Sequence, residues 1–135
     1  MNEPFRRAPG ARPLVWGHRG TRRGLPENTL AAFRRAFEQG AEGIELDVRP
    51  CADGEIVVFH DRDLARMAGD ARVVSELTSA QVREVDIGGG ERVPRLLDAL
   101  DLVRDAGKLL NVEIKRDVPD LATSVDAVAR VIEAR

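Results

Sequence analysis

Gly43-Ile44-Glu45-Leu46-Asp47-Val48 is the stretch on which the reading of this chain turns. Successive side chains on a strand point to opposite faces, so Ile44, Leu46 and Val48 pack on one side while Glu45 and Asp47 project from the other. Two carboxylates then share one small space, which costs free energy unless water, a proton or a cation lies between them. Taken alone, the pattern also fits an amphipathic strand with one wet face. The flanking sequence separates the two cases.

Upstream, Leu14, Val15 and Trp16 form a short strand candidate that ends in Gly17-His18-Arg19-Gly20. A histidine and an arginine therefore stand at a strand's C-terminal end, among glycines that permit close backbone approach. After the loop through Pro26, Asn28 or Thr29 caps a helix whose apolar positions are Leu30, Phe33, Ala36 and Phe37, closed by Gly40. Strand, helix and the Glu45 strand together make a parallel βαβ unit.

Downstream, Asp53-Gly54 signals a hairpin before Ile56, Val57, Val58 and Phe59. A two-residue turn there pairs Ala52 with Glu55 and, counting back, sets Asp47 opposite His60, with Pro50 able to shift the register. Residues 61–93 read as a polar, irregular excursion carrying a capping-box helix from Thr78 to Gln81 and a Gly88-Gly89-Gly90 turn that lacks the spacing of a phosphate loop. Pro94 suits the first position of a helix with Leu96, Leu97, Leu100 and Val103 on one face. A third core strand follows, with Asn111, Glu113 and Lys115 on one side, and Asp117 and Pro119 open a last helix through Leu121, Val125, Val128 and Ile132.

Composition narrows the function. The 135 residues are 43% hydrophobic and 33% charged, enough for one modest domain, and 21 basic against 23 acidic residues leave a formal charge of −2. No basic block stands out, so neither nucleic acid nor an anionic membrane surface is indicated as a partner. No run approaches the ~20 apolar residues of a transmembrane segment. The single Cys51 cannot form an internal disulfide and reads as a bystander in a reducing, cytoplasmic compartment.

Polar groups thus collect at the C-terminal ends of three core strands, where parallel α/β folds build their sites: His18 and Arg19, Glu45 and Asp47, Glu113 and Lys115, with His60 returned by the hairpin. Glu45, Asp47 and Glu113 offer hard oxygen donors suited to Mg²⁺ or Ca²⁺, and such a cation would remove the repulsion between them. Two histidines beside it can serve as general acid and base, and Arg19 and Lys115 suit an oxyanion, a phosphate ester above all. Metal-assisted phosphodiester cleavage is the chemistry these residue types support.

The same stretches resemble the glycerophosphodiester phosphodiesterase family. The resemblance is carried by Gly17-His18-Arg19-Gly20 with Pro26-Glu27-Asn28-Thr29, by Glu45-Leu46-Asp47-Val48, by Asp53-Gly54 with Val57-Val58-Phe59-His60-Asp61, by Ser75-Glu76-Leu77-Thr78, by Val93-Pro94 before Leu96, and by Asn111-Val112-Glu113-Ile114-Lys115. It implies a TIM-barrel (β/α) fold and hydrolysis of glycerophosphodiesters to glycerol 3-phosphate and an alcohol. By the same resemblance His18 and His60 are the acid and base pair, Glu45, Asp47 and Glu113 hold the divalent cation, Arg19 and Lys115 contact the phosphate, and 61–93 is the family's small insertion over the site.

Domain organisation follows: a loose lead-in over residues 1–12, then the N-terminal portion of such a domain over 13–135. A TIM barrel needs eight strands and rarely fewer than ~200 residues. Three barrel strands, a hairpin and about three main helices make an incomplete one. Unpaired strand edges then call for a missing C-terminal half, self-association or another chain. Two further readings stand beside the enzyme: a catalytically idle fragment that associates with a partner or itself, and a related phospholipase acting on sphingolipids or lysolipids.

Overall fold

Alternation along one central strand sorts the residues of this chain into two cores with a polar layer between them. The computed structural model describes residues 7–135. Its elements are β1 (Trp16–His18), α1 (Leu30–Glu38), β2 (Gly43–Pro50), β3 (Ile56–Val58), β4 (Asp63–Leu64), α2 (Ala65–Ala68), β5 (Asp70–Val73), a 3₁₀ turn (Val74–Glu76), α3 (Ser79–Glu84), α4 (Leu96–Asp105), β6 (Leu109–Ile114) and α5 (Leu121–Glu133). Of the expected lead-in, residues 1–6 lie outside the described residues, and 7–12 carry no helix or strand.

β2 is the centre of the main sheet. β1 lies parallel along one edge, Trp16 beside Gly43 and His18 beside Glu45. β6 runs parallel along the other, from Gly43 beside Leu109 to Val48 beside Ile114. Antiparallel β3 takes over the β1 side of β2 beyond the end of β1, pairing Val48 with Val58 and Pro50 with Ile56. Among the described residues, neither β1 nor β6 has a neighbour across its outer edge.

Even-numbered β2 residues Ile44, Leu46 and Val48 are fully buried against Phe33 and Ala36 of α1, Leu96, Ala99 and Val103 of α4, and Val128 of α5. Each buried side chain of this size contributes about 1.5–3 kcal/mol relative to exposure. The odd-numbered side differs along its length. Cys51, with Val57 and Phe59 beyond it, packs under Leu64, Val74, Leu77, Val82, Ile87 and Val93 of the 61–93 segment, whereas Glu45, Asp47 and Arg49 form the polar stretch before it. That segment is thus a small cap with its own buried core, more ordered than its polar sequence suggests: β4 and β5 pair, and α3 begins with the expected Thr78/Gln81 capping box.

Several expectations need correction. The first strand lies two residues later than Leu14–Trp16, and Val15 is exposed. The Trp16 ring covers Gly43, where a Cβ would sit 2.6 Å from it, so glycine is required where β2 begins. The hairpin loop has three residues, not two: Gly54 N–H donates to the Cys51 carbonyl at 3.0 Å with φ +79° at Gly54, and Cys51 faces Glu55. This left-handed third position moves the register by one, so Asp47 accepts from Phe59 N–H at 2.9 Å and does not face His60. Pro94 is not the first helical residue. Arg95 is the N-cap of α4, and the Pro94 carbonyl is used by Val58 N–H. In the last helix Asp120 is the cap, its carboxylate accepting from Thr123 N–H. The expected α1 cap is Thr29, whose hydroxyl accepts from Ala32 N–H at 3.1 Å.

Candidate active site

The β1 edge of β2 is shared by two strands that approach from opposite directions. β1 ends where Arg19 N–H donates to the Glu45 carbonyl at 2.9 Å, and the returning β3 chain resumes where Phe59 N–H donates to the Asp47 carbonyl at 2.9 Å. His18 and His60 are the residues beside these two meeting points, so the hairpin's shifted register still returns His60 to the neighbourhood of the acids. Across β2, Glu113 stands next to Asp47 in the parallel register of β6.

The three carboxylates converge. Glu45, Asp47 and Glu113 each place an oxygen within 4.8 Å of the others. Asp47 is fully buried, Glu45 largely so, and Glu113 opens to solvent. Burial, reinforced by the charge of Asp47, pushes the Glu45 carboxyl above its ordinary range. The Lys115 ammonium, which donates to Glu113 at 2.8 Å, draws Glu113 below it. Burial pulls Lys115 down, but its hydrogen bond to Glu113 and the charge of Asp47, 3.5 Å away, outweigh this and leave it raised. Arg19 lies beside Asp47 (Nε to Oδ2, 3.0 Å) and donates to Glu27 at 3.1 Å.

Whether these residues fit a hard cation can be judged from their unpaired atoms. Both oxygens of Glu45 and Oδ1 of Asp47 are buried without a hydrogen-bond donor, as is the side-chain oxygen of Asn28. Buried acceptors are rarely left so. Three unpaired carboxylate oxygens of Glu45 and Asp47 beside the exposed Glu113 carboxylate are a donor set of the kind Mg²⁺ or Ca²⁺ takes.

The histidines differ in their surroundings. The His18 ring is mostly exposed, with Nε2 3.7 Å from Glu45. His60 is more enclosed: its Nδ1 lies 2.7 Å from Asp61 Oδ1, and its backbone carbonyl accepts from Arg49 Nε at 2.8 Å. The Arg66 hydrogen bond, assisted by His60 and opposed by burial, lowers the Asp61 carboxyl to about 2. Its folded value lies below the ordinary 3.8, so the stabilisation it provides is present above that value and fades as pH falls towards 2. Urea unfolding between roughly pH 4 and pH 2 should therefore show a falling midpoint, and Asp61→Asn should flatten that fall.

Five supporting residues were given no role at the site by the sequence, although Glu27, Asn28 and Asp61 lie within the motifs that carry the resemblance. Glu27 and Asn28 lie in the segment read as a helix lead-in, yet Asn28 is buried, holds φ +57° and donates from Nδ2 to Asp47 Oδ2 at 3.0 Å. Arg49 continues the odd positions of β2 and binds both Asp117 oxygens at 2.8 and 3.0 Å, a signal that alternation could have supplied. Asp61 is the immediate neighbour of His60, and Arg66 had no signal at all. Cys51 is free and buried, its thiol pushed up to about 12 by burial, which fits the bystander reading.

Acids, histidines and basic side chains thus collect at the strand ends of the main sheet of an α/β domain. The model of the glycerophosphoryl diester phosphodiesterase family matches residues 18–134. Glycerophosphodiester phosphodiesterase of Caldanaerobacter subterraneus subsp. tengcongensis is 41% identical over 112 residues, covering 78% of this chain and 46% of the relative. Among solved structures, an Oleispira antarctica phosphodiesterase in complex with the product sn-glycerol-3-phosphate superimposes with a TM-score of 0.82 at 31% identity, covering 90% of this chain and 52% of that one. A glycerophosphodiester phosphodiesterase from Thermotoga maritima gives 0.78 at 36% identity, covering 93% and 52%. The chain belongs to the glycerophosphoryl diester phosphodiesterase family, and its parallel α/β sheet is part of that family's TIM-barrel fold. It spans about half the length of the curated relatives it matches. No helix among the described residues is long and apolar enough to cross a membrane.

Proposed function

We propose that this chain carries the catalytic centre of a glycerophosphodiester phosphodiesterase, which hydrolyses small glycerophosphodiesters to glycerol 3-phosphate and an alcohol. The observation that supports it most is the convergence of Glu45, Asp47 and Glu113 with unpaired buried oxygens, flanked by a histidine from each direction. Glu45, Asp47 and Glu113 would hold Mg²⁺ or Ca²⁺. Such a cation, when bound, supplies positive charge for phosphate oxygens.

The protein's own groups account for the proton transfers. The ionised Asp61 accepts from Nδ1–H of His60, which leaves Nε2 with its lone pair free to take the proton of the attacking hydroxyl. His18, more exposed at the end of β1, gives a proton to the departing alkoxide. Lys115 and Arg19 carry the positive charge that attracts a phosphate and add to its stabilisation as charge builds on the oxygens.

The outer edge of β6 and the apolar residues Leu121, Val125 and Ile132 left exposed on α5 are where the rest of a barrel would pack. Residues 13–135 are accordingly read as the N-terminal portion of the domain, with 61–93 as its cap, in a cytoplasmic enzyme of glycerol and lipid metabolism. Release of glycerol 3-phosphate from glycerophosphocholine tests the reading. His18→Ala and His60→Ala are each expected to lower the rate by roughly 10²–10⁴-fold, and turnover that survives either change rules out the acid and base pair.

A further inference from the structure

The two histidines are not held alike, and the difference traces to one residue of the cap. Arg66, on the short helix α2, donates to two acids at once. Its Nε and Nη2 reach Asp61 at 2.7 and 3.0 Å, and its Nη2 and Nη1 reach Glu27 at 2.6 and 3.3 Å. Asp61 is the group on Nδ1 of His60, and Glu27 is the group that receives Arg19. A single guanidinium therefore joins the loop after β3 to the loop between β1 and α1, the two loops that bring His60 and Arg19 to the acids.

We infer that Arg66 is a positioning residue: by clamping Asp61 and Glu27 together it holds His60 as the Nδ1–H tautomer, with Nε2 directed away from Asp61, and fixes Arg19 against Asp47. The inference rests on the reading of His60 as a proton-transfer residue. Three observations carry it. Asp61 is bound on both oxygens by Arg66, so its orientation towards His60 follows the guanidinium. The planar fork serves two carboxylates in a way that a point charge cannot. Glu27 is almost fully buried, and Arg66 and Arg19 together outweigh its burial and keep its carboxyl below the ordinary range, so it is an ionised anchor for the clamp. Arg49 holds the same histidine by its backbone carbonyl, which leaves the ring's rotation and tautomer to Asp61 and Arg66.

The tautomer is measurable without substrate. In the ¹⁵N-histidine-labelled full chain at alkaline pH, with the His60 signals assigned by their loss in His60→Gln, wild-type His60 should show the Nδ1–H form. Arg66→Ala should shift it towards Nε2–H or a mixture, and Arg66→Lys should fall between. Kinetically, Arg66→Ala should lower kcat by roughly 10–100-fold with KM little changed, the scale on which loss of a supporting group acts. A folded Arg66→Ala chain whose His60 keeps the wild-type tautomer overturns the inference. Should the alanine variant not fold, Arg66→Gln, which keeps one donor group, is read by the same criterion. Absence of turnover in the wild type would count against the proposed function, while the tautomer shift would still decide the role of Arg66.

Discussion

Asp47→Asn is expected to weaken divalent-cation binding by roughly 100-fold or more while leaving the chain folded, because a ligand is lost where even supporting groups are worth 10–100-fold. Asp47 is the one fully buried acid of the three. Its Oδ2 accepts from Asn28 Nδ2 and faces Arg19 Nε, while Oδ1, which accepts no hydrogen bond and has the Lys115 ammonium 3.5 Å away, is the atom that would meet a cation under the proposed function. An amide of the same shape removes the charge and, in either orientation, turns an NH₂ group towards atoms placed to meet an acceptor. The fold should survive because each neighbouring cation keeps a second acid, Arg19 with Glu27 and Lys115 with Glu113. The stability cost should stay near about 1–2 kcal/mol, that of hydrogen bonds lost or weakened inside a retained network. Calorimetric titration with Mg²⁺ and with Ca²⁺ checks this: a dissociation constant within a few fold of wild type would remove Asp47 from the cation site.

Gly20→Ala is expected to destabilise the chain strongly for a single added methyl. Gly20 has φ +82°, and a Cβ there would lie 2.7 and 2.8 Å from the backbone carbon and oxygen of Ala32 in α1. Neither can yield without moving the helix. The left-handed backbone costs a non-glycine residue about 1–2 kcal/mol, and overpacking adds about 1–3. The sum, about 2–5 kcal/mol, is a large part of the stability of an ordinary domain. Arg19, the preceding residue, is itself left-handed at φ +58°, so the displaced turn would also withdraw its guanidinium from Asp47. Chemical denaturation gives the stability change. A midpoint equal to wild type would show that the turn relaxes freely.

The central part of this structure was legible because alternation is a local signal. Glu45 and Asp47 at every second position declared a two-faced strand, and Asn111, Glu113 and Lys115 repeated the device, so the parallel pairing of β6 with β2 placed Glu113 beside Asp47 without further information. Two of the helix caps were equally local: Thr29 and Thr78 accept the backbone donors that their chemistry suits, whereas the expected starts at Pro94 and Asp117 gave way to Arg95 and Asp120.

Legibility failed where one residue of backbone conformation decides the outcome. Asp53-Gly54 is a strong turn signal, but nothing in the two letters distinguishes a two-residue loop from a three-residue loop with its glycine left-handed, and the difference moves the register by one. Long-range ionic contacts were also beyond reach. Arg66 meets Glu27 across 39 positions and Arg49 meets Asp117 across 68; the first pairing exists only once the cap has reached the β1–α1 loop, the second only once β6 lies beside β2. With 19 arginines in the chain, composition could not single out these two.

The proposed centre is a cation held by three carboxylates, and its most direct measurement is glycerol 3-phosphate release from glycerophosphocholine by metal-stripped protein, before and after Mg²⁺ or Ca²⁺ is returned. Turnover should vanish on stripping, return with one of the two cations, and fail to return in Glu45→Gln. Full activity in the stripped protein, or restoration of the Glu45→Gln variant to the wild-type rate, would contradict it.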